Sequence, residues 1–115
     1  MSELPDFMPV LPYANLDDVR RAIRERRVLS FRYRKQQVIA EPHLLGNVQK
    51  THAFVVLAWT LEPAEGWGHY RFAEMRDLEV LGRTFPHVRA GFNPCDRKII
   101  GIDTSVRGQY PQVGC

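Results

Sequence analysis

The chain has 115 residues, 44% of them hydrophobic and 25% charged, which is the size and composition of a single soluble domain with its own core. Its two cysteines, Cys95 and Cys115, exclude the disulfide framework of small secreted proteins. With no signal sequence and no run of about 20 apolar residues, we expect a cytoplasmic protein. The formal net charge is only +3, but 13 of the 16 basic residues are arginines.

Residues 1–15 form a proline-rich segment. Pro5, Pro9 and Pro12 interrupt any helix, yet the segment carries too many apolar residues for a solvated tail. We therefore expect an extended arm that packs on the domain or on a partner.

A short helix is expected to follow the arm. Asn15 suits the N-cap position, and Asp17 and Asp18 fall in the first turn, where the helix dipole favours acids. Apolar residues then recur at helical spacing and predict one buried face. They are Leu16, Val19, Ala22 and Ile23.

The basic residues are concentrated in one stretch. Eight of the 16 lie between Arg20 and Lys35, where Glu25 is the single acid. Arginine has a flat, weakly hydrated fork that suits phosphate groups and base stacking. The stretch predicts either an anion-binding surface or a solvated helix face.

Helical spacing separates the arginines of this stretch into two kinds. Arg21 lies four residues from both Asp17 and Glu25, so we expect its charge to be neutralised locally. Arg24 and Arg27 have no such carboxylate and are expected to be free to meet an anion.

Residues 28–34 alternate in the way of a half-buried strand. One face carries Leu29, Phe31 and Tyr33, and the other carries Ser30, Arg32 and Arg34. Further strands are predicted at residues 38–45, 51–62, 69–75, 78–85 and 99–106. Turns or loops are predicted at residues 35–37, 46–50, 63–68, 76–77 and 86–98.

The strand at residues 51–62 is expected to be the central one. It contains seven consecutive apolar residues, 53–59, rich in β-branched and aromatic side chains. Such a run is typical of a strand buried on both faces. One face would carry Phe54, Val56 and Ala58, and the other Val55, Leu57 and Trp59. The chain as a whole is therefore predicted to be mainly β with one N-terminal helix, as a small antiparallel barrel over residues 16–106 followed by a tail at 107–115.

Ordered motifs in this chain resemble those of the WYL domain family. They are AI-x-E-R-x-V-L-x-F-x-Y (22–33), A-E-P-H-L-L (40–45), A-W (58–59), Y-R-F (70–72) and G-F-N-P-C-D (91–96). The resemblance implies an Sm/SH3-like barrel of bacterial regulators that sense nucleic acid or nucleotide-type ligands. It also places Arg71 on the family's recurrent arginine and Tyr33 on the tyrosine that closes the first strand.

The chain departs from the family pattern at two places. Phe54, Val55 and Val56 stand where Trp, Tyr and Leu are usual, and Glu74 stands where a second basic residue is common. No winged-helix region precedes the domain, so we expect a stand-alone module and not a self-sufficient transcription factor.

The pattern and the resemblance together predict a ligand-binding surface of arginines, one tyrosine and two histidines. Its residues are Arg24, Arg27, Arg32, Tyr33, Arg34, His43, His52 and Arg71. Bases would stack on Tyr33, Trp67 or Tyr70. The alternative for Arg71 is a solvent-facing arginine or an ion pair with Glu41 or Glu74. The histidines lack paired metal-ligand spacing, so no metal and no cofactor is predicted.

The sequence favours a binding module over an enzyme. It contains no nucleophile elbow, no H-E-x-x-H motif and no phosphate-binding loop of the P-loop type. The expected ligand is single-stranded DNA or RNA, or a nucleotide, with no membrane association. The alternative is a protein-interaction module that uses its N-terminal arm and apolar surface, as a homo-oligomer or an accessory subunit of a larger regulator.

Overall fold

A computed structural model describes residues 14–48, 51–93 and 99–106 of the chain. Most of the arm predicted for residues 1–15, and the tail predicted for 107–115, lie outside the described residues. Within the described ranges the chain forms one α-helix, six strands and a single 3-10 turn. They are α1 (Leu16–Glu25), β1 (Arg27–Tyr33), β2 (Gln36–Val48), β3 (Phe54–Glu62), β4 (Gly66–Arg71), the 3-10 turn (Phe72–Glu74), β5 (Met75–Thr84) and β6 (Ile99–Ser105). The mainly β class with one helix is confirmed.

Helix α1 begins at the predicted cap. The Asn15 side-chain oxygen accepts a hydrogen bond from the backbone N–H of Asp17 at 2.7 Å. Val19, Ala22 and Ile23 are buried as predicted. The helix ends where Arg26 takes a left-handed conformation with φ 54°. Its backbone N–H donates to the carbonyls of Ala22 and Ile23 in the last turn.

The six strands form one antiparallel sheet in the order β4-β3-β2-β1-β5, with β6 paired to β2. Strand β2 pairs with β1 through residues 36–40 and with β6 through residues 44–48. The register with β3 shifts between Pro42 and Leu44, so a bulge accommodates the proline and bends the strand. Strands β1 and β6 thus pair with different parts of β2, one after the other along its length.

Glycine explains two of the wrong loop predictions. A turn was expected at residues 46–50, but β2 continues to Val48, and a Cβ on Gly46 would lie 2.6 Å from the carbonyl oxygen of Gly101 in β6. A loop was expected at residues 63–68, but β4 begins at Gly66, and the Tyr70 ring lies over Gly68. Both glycines permit close packing inside strands.

The strand predicted at residues 69–75 is divided in the structure. Strand β4 ends at Arg71 and the 3-10 turn follows, whereas residues 76–77, expected to form a tight link, lie within β5. Asp77 has φ 52°, and the register between β1 and β5 shifts between Ser30 and Arg32. The link expected at residues 76–77 is therefore an irregularity inside β5.

The edges of the sheet approach each other at the 3-10 turn. Strands β4 and β5 occupy opposite ends of the strand order, yet only Phe72–Glu74 connects them, so the sheet must curl. The Tyr33 hydroxyl of β1 accepts a hydrogen bond from the backbone N–H of Arg71 of β4 at 3.0 Å. The backbone pairings among the described residues leave the sheet open, and closure into a barrel stays a prediction.

Two hydrophobic clusters lie on opposite sides of β3. The larger contains Val56 and Ala58 together with residues of α1, β1, β2 and β5. The smaller contains Val55 and Leu57 with Leu44 and Ile99. Burial of β3 on both faces is therefore confirmed. No helix in the described part of the chain is long and apolar enough to cross a membrane.

Candidate anion-binding site

The turn between β1 and β2 presents two basic side chains at its tip. Arg34 and Lys35 are its two residues, with φ of 51° and 71°. Positive φ at both central positions is typical of tight hairpins, where asparagine and glycine are usual, and costs other residues about 1–2 kcal/mol each. Arg34 was predicted on the exposed face of a strand, but the structure places it in this turn.

A surface depression of about 300 Å³ lies beside the turn. Four basic residues and one acid line it: Arg32, Arg34, Lys35, Arg76 and Asp77. Arg32 on β1 stands directly opposite Arg76 on β5. Like charges in directly opposed strand positions repel, and the nearest compensation for Arg32 is Asp77 at 3.9 Å. The depression therefore holds an excess of positive charge.

Glu74 stands beside the basic residues of this depression. The Arg34 guanidinium donates to both oxygens of its carboxylate, at 2.6 and 3.2 Å, and Arg71 Nε lies 3.9 Å from it. The hydrogen bonds from Arg34 lower the pKa of Glu74 below its usual range. Of the two carboxylates considered as partners of Arg71, the nearby one is Glu74.

Tyr33 connects the cluster to the core. Its ring makes edge contacts with Phe31 and Tyr70, and the Arg34 guanidinium lies 5.1 Å above its centroid. Arg34 therefore covers one face of the ring that was expected to stack on a base. Tyr70 is hydrogen-bonded to Thr60 and packs against Phe31, so it serves the core.

The structure brings together four of the eight predicted residues and adds two. The four are Arg32, Tyr33, Arg34 and Arg71, and the two additional ones are Lys35 and Arg76. Lys35 was visible in the basic stretch. Arg76 could be found only through the pairing of β1 with β5, which the sequence does not reveal.

Three of the other predicted residues lie elsewhere. Arg24 is exposed on α1 and His52 is exposed between β2 and β3, and neither lines the depression. Arg27 was expected to be free, but it donates to the Leu81 carbonyl at 2.8 Å and to Glu25 at 3.1 Å. That expectation was wrong because the residue leaves the helix for β1, where it meets these acceptors.

His43 is the fourth residue outside the cluster. It is fully buried, its Nδ1 donates to the Glu41 carbonyl at 2.8 Å, and its Nε2 accepts from the backbone N–H of Arg89 at 3.0 Å. The ring also contacts Trp67 and Phe85. Burial lowers its pKa and favours the neutral form. This geometry gives His43 a place in the core and leaves it no free nitrogen for a ligand.

Comparison with known proteins gave one match. The family model described as WYL domain matches residues 14–80, from the cap of α1 into β5. This range contains every residue that lines the depression. Neither the curated proteins nor the solved structures contain a match to the chain.

Proposed function

Because the chain belongs to the WYL domain family, whose members are generally ligand-sensing regulatory domains, we propose that it senses single-stranded nucleic acid or a nucleotide-type ligand. The binding surface is the cluster of Arg32, Arg34, Lys35, Arg71 and Arg76. The role is one of binding and not of catalysis.

The observation that carries this proposal is the charge of the depression. Four cations surround it and Asp77 is the single acid among its lining residues. A phosphate between Arg32 and Arg76 would relieve the repulsion across the paired strands and accept charge-assisted hydrogen bonds from both. A phosphodiester backbone or a nucleotide phosphate fits this requirement.

Tyr33 supports the choice of a nucleotide-type ligand. It lies next to Arg34 and Arg71, so a base attached to a bound phosphate could reach its ring. Stacking of a base on an aromatic side chain contributes about 1–3 kcal/mol and tolerates any base.

The proposal includes the finer fold, a small antiparallel barrel of the Sm/SH3 type. Its support is the three-residue link between the two edge strands and the hydrogen bond from Arg71 to Tyr33. The curled sheet would hold the aromatic and basic residues on one rim.

Fluorescence anisotropy with short single-stranded DNA, RNA and nucleotides over a range of salt concentrations tests the proposal. Wild-type affinity should fall steeply with salt. Arg32→Ala should reduce the slope of log affinity against log salt by roughly one, because it removes one cation that neutralises a phosphate. Arg83→Ala is the matched control, because Arg83 is an exposed arginine of β5 that does not line the depression.

Circular dichroism should first establish that both variants are folded. Equal binding by Arg32→Ala and Arg83→Ala would place the ligand elsewhere. If wild-type protein binds none of these probes at low salt, the protein-interaction alternative takes precedence, with an apolar interface that changes little with salt.

A further inference from the structure

Glu74 occupies the position that a phosphate bound by the fork of Arg34 would take. Its carboxylate accepts both hydrogen bonds from the fork of Arg34 and lies 3.9 Å from Arg71 Nε. This bidentate arrangement is the one that arginine also offers to a phosphate. Arg34 cannot form these two hydrogen bonds with the carboxylate and with a phosphate at the same time.

The same ion pair also covers the aromatic surface. The Arg34 guanidinium is hydrogen-bonded to Glu74, and its carbon lies 5.1 Å above the centroid of the Tyr33 ring. The cation and the ring are therefore both engaged within the chain.

We propose that Glu74 is an internal competitor for the ligand, which keeps Arg34 closed over Tyr33 until a phosphate replaces its carboxylate. The inference rests on the proposed function and names how that site is regulated. Binding would then proceed by exchange: the phosphate takes the fork of Arg34, Arg34 moves off the ring, and the base takes the exposed face of Tyr33.

The exposure of the pair makes this exchange feasible. The side chains of Arg34 and Glu74 are 63% and 34% exposed, so the pair is solvated and screened by salt. A ligand that brings several phosphates to the neighbouring Arg32 and Arg76 has a larger attraction than one carboxylate. The competitor therefore sets a threshold for ligand charge and does not block the site.

The test compares Glu74→Gln with Glu79→Gln. Both remove one negative charge, but Glu79 lies two residues beyond Asp77 on β5 and is exposed outside the depression. The probes are a short fluorescein-labelled oligodeoxythymidine and inorganic pyrophosphate. We expect Glu74→Gln to bind oligodeoxythymidine about fivefold more tightly, with a salt slope steeper by roughly one, and Glu79→Gln to change much less.

A second measurement needs no ligand. Nitrogen-15 NMR of the arginine side chains reports the Arg34 Nε–H, assigned by its loss in Arg34→Lys. We expect solvent exchange of this proton to be slower in wild-type protein and in Glu79→Gln, where Glu74 accepts its hydrogen bond, than in Glu74→Gln. Addition of pyrophosphate to wild-type protein should shift the same signal.

The outcomes separate the inference from the proposed function. Equally fast exchange of the Arg34 proton in wild-type protein and Glu74→Gln overturns the closed state, whether or not the probes bind. If wild-type protein binds and Glu74→Gln binds no more tightly than Glu79→Gln, competition is overturned while the proposed function stands. If neither wild-type protein nor Glu74→Gln binds either probe at low salt, the proposed function falls and the competition with it.

Discussion

Arg89 shows how one residue outside the helices and strands completes a buried region. Its guanidinium donates to both oxygens of the Glu41 carboxylate, at 2.8 and 3.1 Å, and lies 5.3 Å from the centroid of the Trp59 ring. Its backbone N–H donates to His43. One residue thus satisfies a buried carboxylate and a buried imidazole.

Removal of this side chain should destabilise the domain. In Arg89→Ala the carboxylate of Glu41, whose side chain is 6% exposed, would remain buried without its cation. We expect the free energy of unfolding to fall by about 2–3 kcal/mol, less than the roughly 3–5 kcal/mol for a fully buried pair, because the arginine side is 40% exposed. Urea denaturation measures this loss.

The double variant Glu41→Gln, Arg89→Ala separates the effect of the charge pair from that of packing. It should recover part of the stability, since no buried charge is then left unpaired. Arg83→Ala, on the exposed end of β5, should change the free energy by less than about 0.5 kcal/mol. An Arg89→Ala protein as stable as Arg83→Ala would mean that Glu41 finds water or another partner.

At the scale of the element, β3 is the strand on which both hydrophobic clusters depend. Val56 belongs to the larger cluster and Leu57 to the smaller one, and both are at most 5% exposed. A strand with no solvated face cannot accept a charged residue at either register position. Its apolar run in the sequence already indicated this.

We therefore expect Leu57→Asp to unfold the domain or to lower its free energy of unfolding by about 3 kcal/mol or more. Leu57→Met, which nearly conserves volume, should lose less than about 1.5 kcal/mol. Thermal denaturation followed by circular dichroism distinguishes these results. A Leu57→Asp protein that is soluble and melts cooperatively near the wild-type temperature would contradict the burial of this face.

Element boundaries were predicted less well than the elements themselves. The cap at Asn15, the strand character of residues 28–33 and the double burial of β3 depend on neighbours in the chain, and the structure confirms them. The turns expected at 46–50 and 76–77 were wrong. Gly46 is required by the close approach of β6, and the positive φ of Asp77 accompanies an irregular pairing of β5 with β1. Both causes come from distant parts of the chain.

At the scale of the whole molecule, buried His43 makes stability depend on pH. Burial lowers its pKa, and the charged groups near it are Glu41, Arg89 and Arg26. Below the unfolded pKa of about 6.5 the unfolded chain binds a proton that the folded protein resists, so stability falls as pH decreases. The loss from this group is complete below its folded pKa.

We expect the free energy of unfolding to fall by about 1 kcal/mol between about pH 7.5 and pH 5.5. His43→Gln, which does not titrate, should show a smaller fall. Denaturant titrations at the two pH values measure the difference. An unchanged slope in a folded His43→Gln protein would assign the pH dependence to other groups.

A second loss of stability is expected in acid. Hydrogen bonds from Arg20 lower the pKa of Asp103, and those from Arg34 lower the pKa of Glu74. Their contribution is present above the unfolded pKa of about 4 and is lost as pH falls through the folded values. Asp103 connects β6 to α1 through Arg20, so this loss would loosen the attachment of the helix.

The sequence by itself determined the mainly β class, the capped helix, the doubly buried strand and the concentration of arginine before residue 36, because periodicity, capping and composition act over a few neighbouring residues. Only the tertiary structure decided which arginines meet. The pairing of β1 with β5 brings Arg76 to Arg32, the bond from Arg34 to Glu74 joins residues 40 positions apart, and Arg89 reaches Glu41 across 48 positions. Such contacts follow from the curl of the sheet and from burial, and a local pattern carries no information about either.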